Sequence, residues 1–278
     1  MEKKYDAHVH LTPPEIIDNV EEYRQKDSYF DLLSGNQKND FATVQDLIKY
    51  LNENDIDKAV VFGFCFKEQY LCKRVNNYII SSVQKYPKRL VGFACINPKA
   101  EGVISELKRC KSAGLKGVGE LFPAGQDFDI TKKAELEQVV NFCSEHNWPL
   151  LVHLNEPVGH DYPGKTKDSI RRGEILAENF PNTTFIYAHL GGGLLFYELM
   201  PEMAEKLENV YYDTAAVPFL YSEKIYDSIQ AAGLAGKVIF GSDYPLLGYS
   251  KYKEQFDKSD INSENLSKII GGNIEKLL

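Results

Sequence analysis

A (β/α)8 TIM barrel in a single domain spanning 1–278, with a long insertion between its first two strands, is the fold the sequence predicts. Three observations predict it. Eight short apolar runs recur along the chain, segments of helical periodicity lie between them, and histidines or carboxylates end several of the runs. The length of 278 residues would allow two domains of about 150, but such barrels often run about 250 residues as one unit.

The predicted strands cover 4–9, 58–64, 89–96, 115–120, 149–153, 183–189, 209–213 and 237–242. Most are near-continuous apolar runs, which suits parallel strands covered on both faces. Val44, Leu47, Ile48 and Leu51 repeat at i, i+3, i+4, i+7 with Thr43 placed as N-cap, so a helix is expected there. Similar stripes run through Leu71–Ile79, Val103–Leu107, Leu136–Cys143 and Leu266–Leu277. Residues 11–42 break the rhythm: they form a polar and aromatic insertion with one helix expected near 14–25. A doubly wound open sheet competes with the barrel, but no predicted strand is followed by G-x-G-x-x-G.

Composition narrows the chemistry. The 32 Lys+Arg against 40 Asp+Glu leave a net charge of −8, which argues against a non-specific nucleic-acid binder. The five cysteines (65, 72, 95, 110, 143) include no C-x-x-C pair and read as reduced thiols rather than a disulfide framework. The first residues, MEKKYDAHVH, contain no apolar signal region, and no run approaches the roughly 20 apolar residues of a membrane span. The expectation is a cytoplasmic protein without membrane or nucleic-acid partners, acting on a small molecule, with a homo-oligomer left open.

Histidine placement is the most informative feature. His8 and His10 are two apart at the end of strand one and so share one face, which in a barrel points inward at the C-terminal rim. His153, His189, Asp243 and Glu120 end strands five, six, eight and four. Each alone has an ordinary structural reading: a hydrogen-bonded core histidine, an Asx turn before Pro245, a rim carboxylate. Together at one rim they suit a divalent ion that keeps a position for water and makes hydroxide available near neutral pH, with Zn2+ the expected metal. Asp6 lies one layer deeper on the same face and reads equally as a ligand-orienting carboxylate or a structural acceptor. In the loop after strand five, His160 and Tyr162 are candidate substrate contacts. For Arg171, Arg172, Gly191–Gly193, Cys65 and His146 the structural readings are preferred: solvated helix start, βα turn, small buried thiol and helix C-terminal cap.

The ordered set DAHVH, LLVHLNEP, IYAHLGGG and FGSDYP, with NIEKLL at the end, resembles the amidohydrolase-related metal-dependent hydrolases over essentially the whole chain. The resemblance implies a barrel with a divalent metal at the strand C-termini, ligated by His8, His10, His153 and Asp243. Asp243 would also handle the proton of the bound water, and His189 would bind a second metal or act on substrate or water. Glu120 resembles the glutamate of a deoxyribonuclease-like branch. HLGGG and SDYP look more like the branch holding aromatic-acid and aminocarboxymuconate-semialdehyde decarboxylases, whose members typically use one metal. One ion with Glu120 as an additional ligand is therefore expected, two being the alternative. The implied activity is hydrolysis of an amide, ester or lactone by metal-bound hydroxide, with Asp243 and His189 catalytic. Non-oxidative decarboxylation of a small carboxylic acid is the alternative. A nuclease reading rests on Glu120 alone and is opposed by the −8 charge.

Overall fold

The computed structural model describes residues 3–35, 41–166 and 169–278. Eight strands follow one another in a single parallel sheet: β1 Tyr5–His10, β2 Lys58–Phe62, β3 Leu90–Ala94, β4 Gly117–Leu121, β5 Leu150–Val152, β6 Phe185–Tyr187, β7 Val210–Asp213 and β8 Val238–Ile239. Ala7 N donates to Phe240 O at 2.9 Å, Asp243 N to His8 O at 2.9 Å and His10 N to Tyr244 O at 2.8 Å. These bonds bring the exit of β8 back against β1, and the fold is the predicted (β/α)8 barrel.

Helices between the strands bury their apolar stripes on the sheet. Leu47 and Leu51 of Val44–Glu53 are fully buried. The expected cap is present: Asp46 N donates to Thr43 Oγ1 and Thr43 N to Asp46 Oδ2, a reciprocal pairing that satisfies two N-terminal donors. The closing run is helical from Ser263 to Glu275, with wide turns over Lys268–Gly272. A Cβ on Gly271 would lie 1.9 Å from Lys3 O, so only glycine lets this segment approach the start of β1.

Two sequence expectations need correction. β5, β6 and β8 stop one to three residues earlier than the apolar runs suggest, because the chain leaves the ladder to form the rim while staying largely buried. The expected single helix near 14–25 is three short helices, α1 Pro14–Asp18, α2 Val20–Lys26 and α3 Ser28–Ser34. Asp27 makes the last break: its carboxylate accepts from Tyr29 N at 3.0 Å and Phe30 N at 2.9 Å, capping α3 rather than continuing α2. The same carboxylate accepts from Lys67 N at 2.9 Å, which pins the insertion to the segment after β2. Residues 36–40 of the insertion lie outside the described residues.

Candidate metal centre

Strand periodicity builds the centre. Asp6, His8 and His10 alternate along β1 and turn inward, Asp6 and His8 fully buried and His10 partly open to the mouth. Gly119 precedes Glu120 at φ +140° with Leu151 so close that a Cβ would lie 2.6 Å from it. Glycine there lets β4 press against β5 and presents Glu120 to the axis. His153 follows β5 directly. His189 lies two residues past β6 in a left-handed backbone conformation (φ 57°), as does Asp243 beyond β8 (φ 65°).

The five expected ligands and His189 converge. His8 Nε2 lies 3.2 Å from His10 Nε2, 3.3 Å from Glu120 Oε2 and 3.6 Å from Asp243 Oδ1. His10 Nε2 is 3.5 Å from Glu120 Oε2 and 3.3 Å from Asp243 Oδ1. The other oxygen of Glu120, Oε1, is 3.0 Å from His153 Nδ1 and 4.0 Å from His189 Nε2, and those two nitrogens are 3.2 Å apart. The residues thus fall into two groups, His8/His10/Asp243 and Glu120/His153/His189, each with donor atoms within 4.8 Å of one another. The Glu120 carboxylate stands between them.

This donor set fits a divalent cation. Bonds of about 2.0–2.1 Å separate neighbouring ligand atoms by roughly 3.0–3.4 Å, and the separations here run from 3.0 to 4.0 Å. The tautomers agree. His189 Nδ1 is 2.8 Å from Ala215 O, a carbonyl that can only accept, so Nδ1 carries the proton and Nε2 turns a lone pair to the cluster. His8 Nδ1 likewise donates to Asp213 Oδ2 at 2.7 Å, leaving Nε2 to the centre. His8 and His189 thus each turn an unprotonated nitrogen towards the cluster, the form in which imidazole ligates a metal.

Burial and charge compete across the cluster. Burial opposes charge on His8, but the carboxylates of Asp213 and Glu120 outweigh it and raise its pKa well above the usual range. His10 is raised as well, burial being overcome by Asp243 and Glu120. Burial works against ionised Glu120 too, yet His8, His10 and His153 hold it well below its ordinary value. For Asp243, burial is outweighed by the His10 hydrogen bond and the charges of His8 and His10, which bring its carboxyl to about 2.

Sequence reasoning misses Asp213. It ends β7 fully buried, and besides His8 its carboxylate accepts from His189 N and Ala215 N, each at 3.0 Å. One carboxylate therefore orients a ligand from each group. Its signal was a charge closing the apolar run NVYYD, the same cue that marked Glu120. Asp6 orients by backbone: it accepts from Ser242 N at 2.8 Å, Ser242 Oγ at 2.5 Å and Tyr50 Oη at 3.2 Å, steadying the turn that carries Asp243.

The centre opens into a cavity of about 510 Å3 lined by His160 and Tyr162, as expected of the loop after β5. His160 is exposed, and Tyr162 Oη donates to Glu156 at 3.4 Å. The polar and aromatic insertion contributes Tyr29, Phe30 and Leu33 to the lining, and Phe64 and Phe122 extend it into an aromatic wall. Arg171 pairs with Glu174 on its own helix, and Arg172 reaches Asp129 at 3.0 Å beside an adjoining cavity of about 330 Å3 that shares Tyr29, Phe122 and His153 with the first. Cys65 is buried away from the lining. Gly191–Gly193 form a turn with positive φ throughout, where a Cβ on Gly192 would lie 2.2 Å from Asn155 O. His146 ends its helix, stacked edge-on against Phe142.

Solved structures share this architecture. 5-Carboxyvanillate decarboxylase from Sphingomonas paucimobilis superposes with a TM-score of 0.77 at 13% identity, covering 100% of this chain and 99% of the other. Dihydroxybenzoic acid decarboxylase from Polaromonas sp., solved with manganese and 2-nitroresorcinol, gives 0.73 at 18%, covering 100% and 97%. A probable 2-pyrone-4,6-dicarboxylic acid hydrolase from Acinetobacter baumannii gives 0.65 at 17%, covering 100% and 99%. At these identities the likeness establishes the fold. The family model described as Amidohydrolase matches residues 5–278, and the chain belongs to that family.

Proposed function

We propose that the protein is a metal-dependent hydrolase that cleaves an amide, ester or lactone bond of a small molecule. The observation that carries this reading is the position of Glu120, whose two oxygens face two separate groups of imidazole donors. With that arrangement His8, His10 and Asp243 would hold one divalent ion and His153 and His189 a second, with a Glu120 oxygen available to each. The imidazole-rich donor set favours zinc. A divalent metal there supplies Lewis acidity, making water nucleophilic near neutral pH and polarising the bond to be cleaved.

The chain's own groups do the rest. Asp243, ionised at neutral pH, takes the proton of the attacking water and returns it to the leaving group. Asp213 fixes the tautomer of His8 and the backbone of His189. Tyr162 and His160 contact the substrate from the β5 loop. Non-oxidative decarboxylation is the second reading, favoured by the two decarboxylases that superpose along the whole chain.

Protein purified without chelator, assayed for bound metal and against lactones, esters, amides and aromatic carboxylates, tests both. About two ions per chain and hydrolysis lost in His10→Ala and Asp243→Asn are expected. One ion per chain would refute the pair of ions, and CO2 release without hydrolytic turnover would replace hydrolase by decarboxylase.

A further inference from the structure

The wall of the cavity facing the metal ligands is a continuous aromatic surface. Phe30 from α3 stacks on Phe41 (centroids 6.1 Å) and meets Phe64 edge-on at 5.2 Å. Phe64 stacks on Phe122 at 5.6 Å and an interplanar angle of 21°, and Tyr29 lies 5.8 Å from Phe122. Phe122 in turn lies 5.0 Å from the ring of His153, a ligand of the centre. Aromatic rings attract a further ring offset or edge-on at 4.5–7 Å, so this surface suits a flat apolar group running from the mouth to the ligands. The ionised groups on the opposite side are the Glu120 and Asp243 carboxylates, and the described residues lining the cavity include no Lys or Arg.

We propose that this wall recognises an uncharged aryl group, so that the enzyme selects neutral aryl substrates over the same compounds bearing an anionic ring substituent. The inference names the substrate class of the hydrolase reading and rests on it for the bond that is cleaved. A neutral ring gains stacking and loses only weakly held water. An anionic substituent would shed its hydration against aromatic faces, where no described Lys or Arg lines the cavity to replace it. The insertion supplies Tyr29 and Phe30, so the selection is built by the segment that interrupts the barrel repeat.

The test separates binding from turnover. Metal-loaded protein is titrated with 2-acetylnaphthalene, a ketone that offers no bond to hydrolyse, and with its 6-sulfonate, a poor metal ligand, both followed by naphthalene fluorescence. The ketone is expected to bind at least about tenfold tighter. Methyl 2-naphthoate should exceed its 6-sulfonate by about 100-fold in kcat/KM. Phe64→Arg should narrow or reverse the binding preference, and Phe41→Arg at the rim serves if that variant does not fold. Equal binding, tighter binding of the sulfonate, or a preference unchanged in a folded arginine variant would overturn the proposal. Selective binding of the ketone without cleavage of either ester would leave the aryl site standing and remove the hydrolase reading instead.

Discussion

Asp213 shows how much one buried carboxylate can organise. It accepts from His8 Nδ1, His189 N and Ala215 N, and so couples ligands on two strands. Asp213→Asn keeps the shape but loses the charge that fixes the His8 tautomer. Metal affinity is expected to fall about 10–100-fold, read by competition with a chelating dye. The pH dependence of binding follows from the same contacts. The pKa values of His8 and His10 are raised in the folded protein, so protons must leave before these nitrogens can ligate. Metal affinity is therefore expected to rise with pH and be lost as pH falls, by up to about tenfold per unit for each proton displaced, with proton release detectable by calorimetry in two buffers. Asp6 acts differently. Burial lifts its carboxyl to about 6 against the hydrogen bonds from Ser242, His8 and Tyr50. Asp6→Ala strands those donors and should cost about 3 kcal/mol in urea unfolding, with weaker metal binding because Asp243 follows Ser242.

At the scale of elements, the insertion matters most. α1 to α3 are too short to be stable alone; α3 is held by its Asp27 cap and by packing of Tyr29 and Phe30 on Phe64, Phe66 and Phe122, and α2 by Tyr23 against Phe66. Asp27→Ala removes the α3 cap together with the tie to Lys67 N. A loss of about 2 kcal/mol is expected, with KM raised more than kcat changes, because Tyr29 and Phe30 line the cavity and do not touch the metal ligands. Strand β4 makes the complementary case. Its Gly119 has φ +140° against Leu151, so Gly119→Ala should displace Glu120 and lower both stability and metal content, measured by thermal unfolding and elemental analysis.

For the molecule as a whole, the barrel gathers ligands from β1, β4, β5, β6 and β8 around one axis. A metal held there would crosslink five strands that are far apart in sequence. Saturation at about 100 times Kd should add about 2.7 kcal/mol per independent site, visible as a Tm that drops on chelation and recovers on adding Zn2+. All five cysteines are free and buried, so oxidative crosslinking has no part in this stability. No helix among the described residues is long and apolar enough to cross a membrane.

Much of this was legible along the chain. Apolar runs separated by helical stripes are local patterns, and each of the eight predicted strands exists, because covering on both faces demands the same residues wherever the strand pairs. The H-x-H spacing and the charged residues closing the runs pointed to the residues that converge at the rim, since a charge at the end of a buried strand needs a chemical purpose. Three features were decided only in three dimensions. The division of the ligands into two groups with Glu120 between them depends on which oxygen of one carboxylate faces which strand. The role of Asp213 depends on reaching His8, 205 residues away. The aromatic wall joins the insertion to the exits of β2 and β4, whose residues carry no common motif. Periodicity and strand-end charges record what each segment needs of its own surroundings, while distances between segments arise only when the barrel closes.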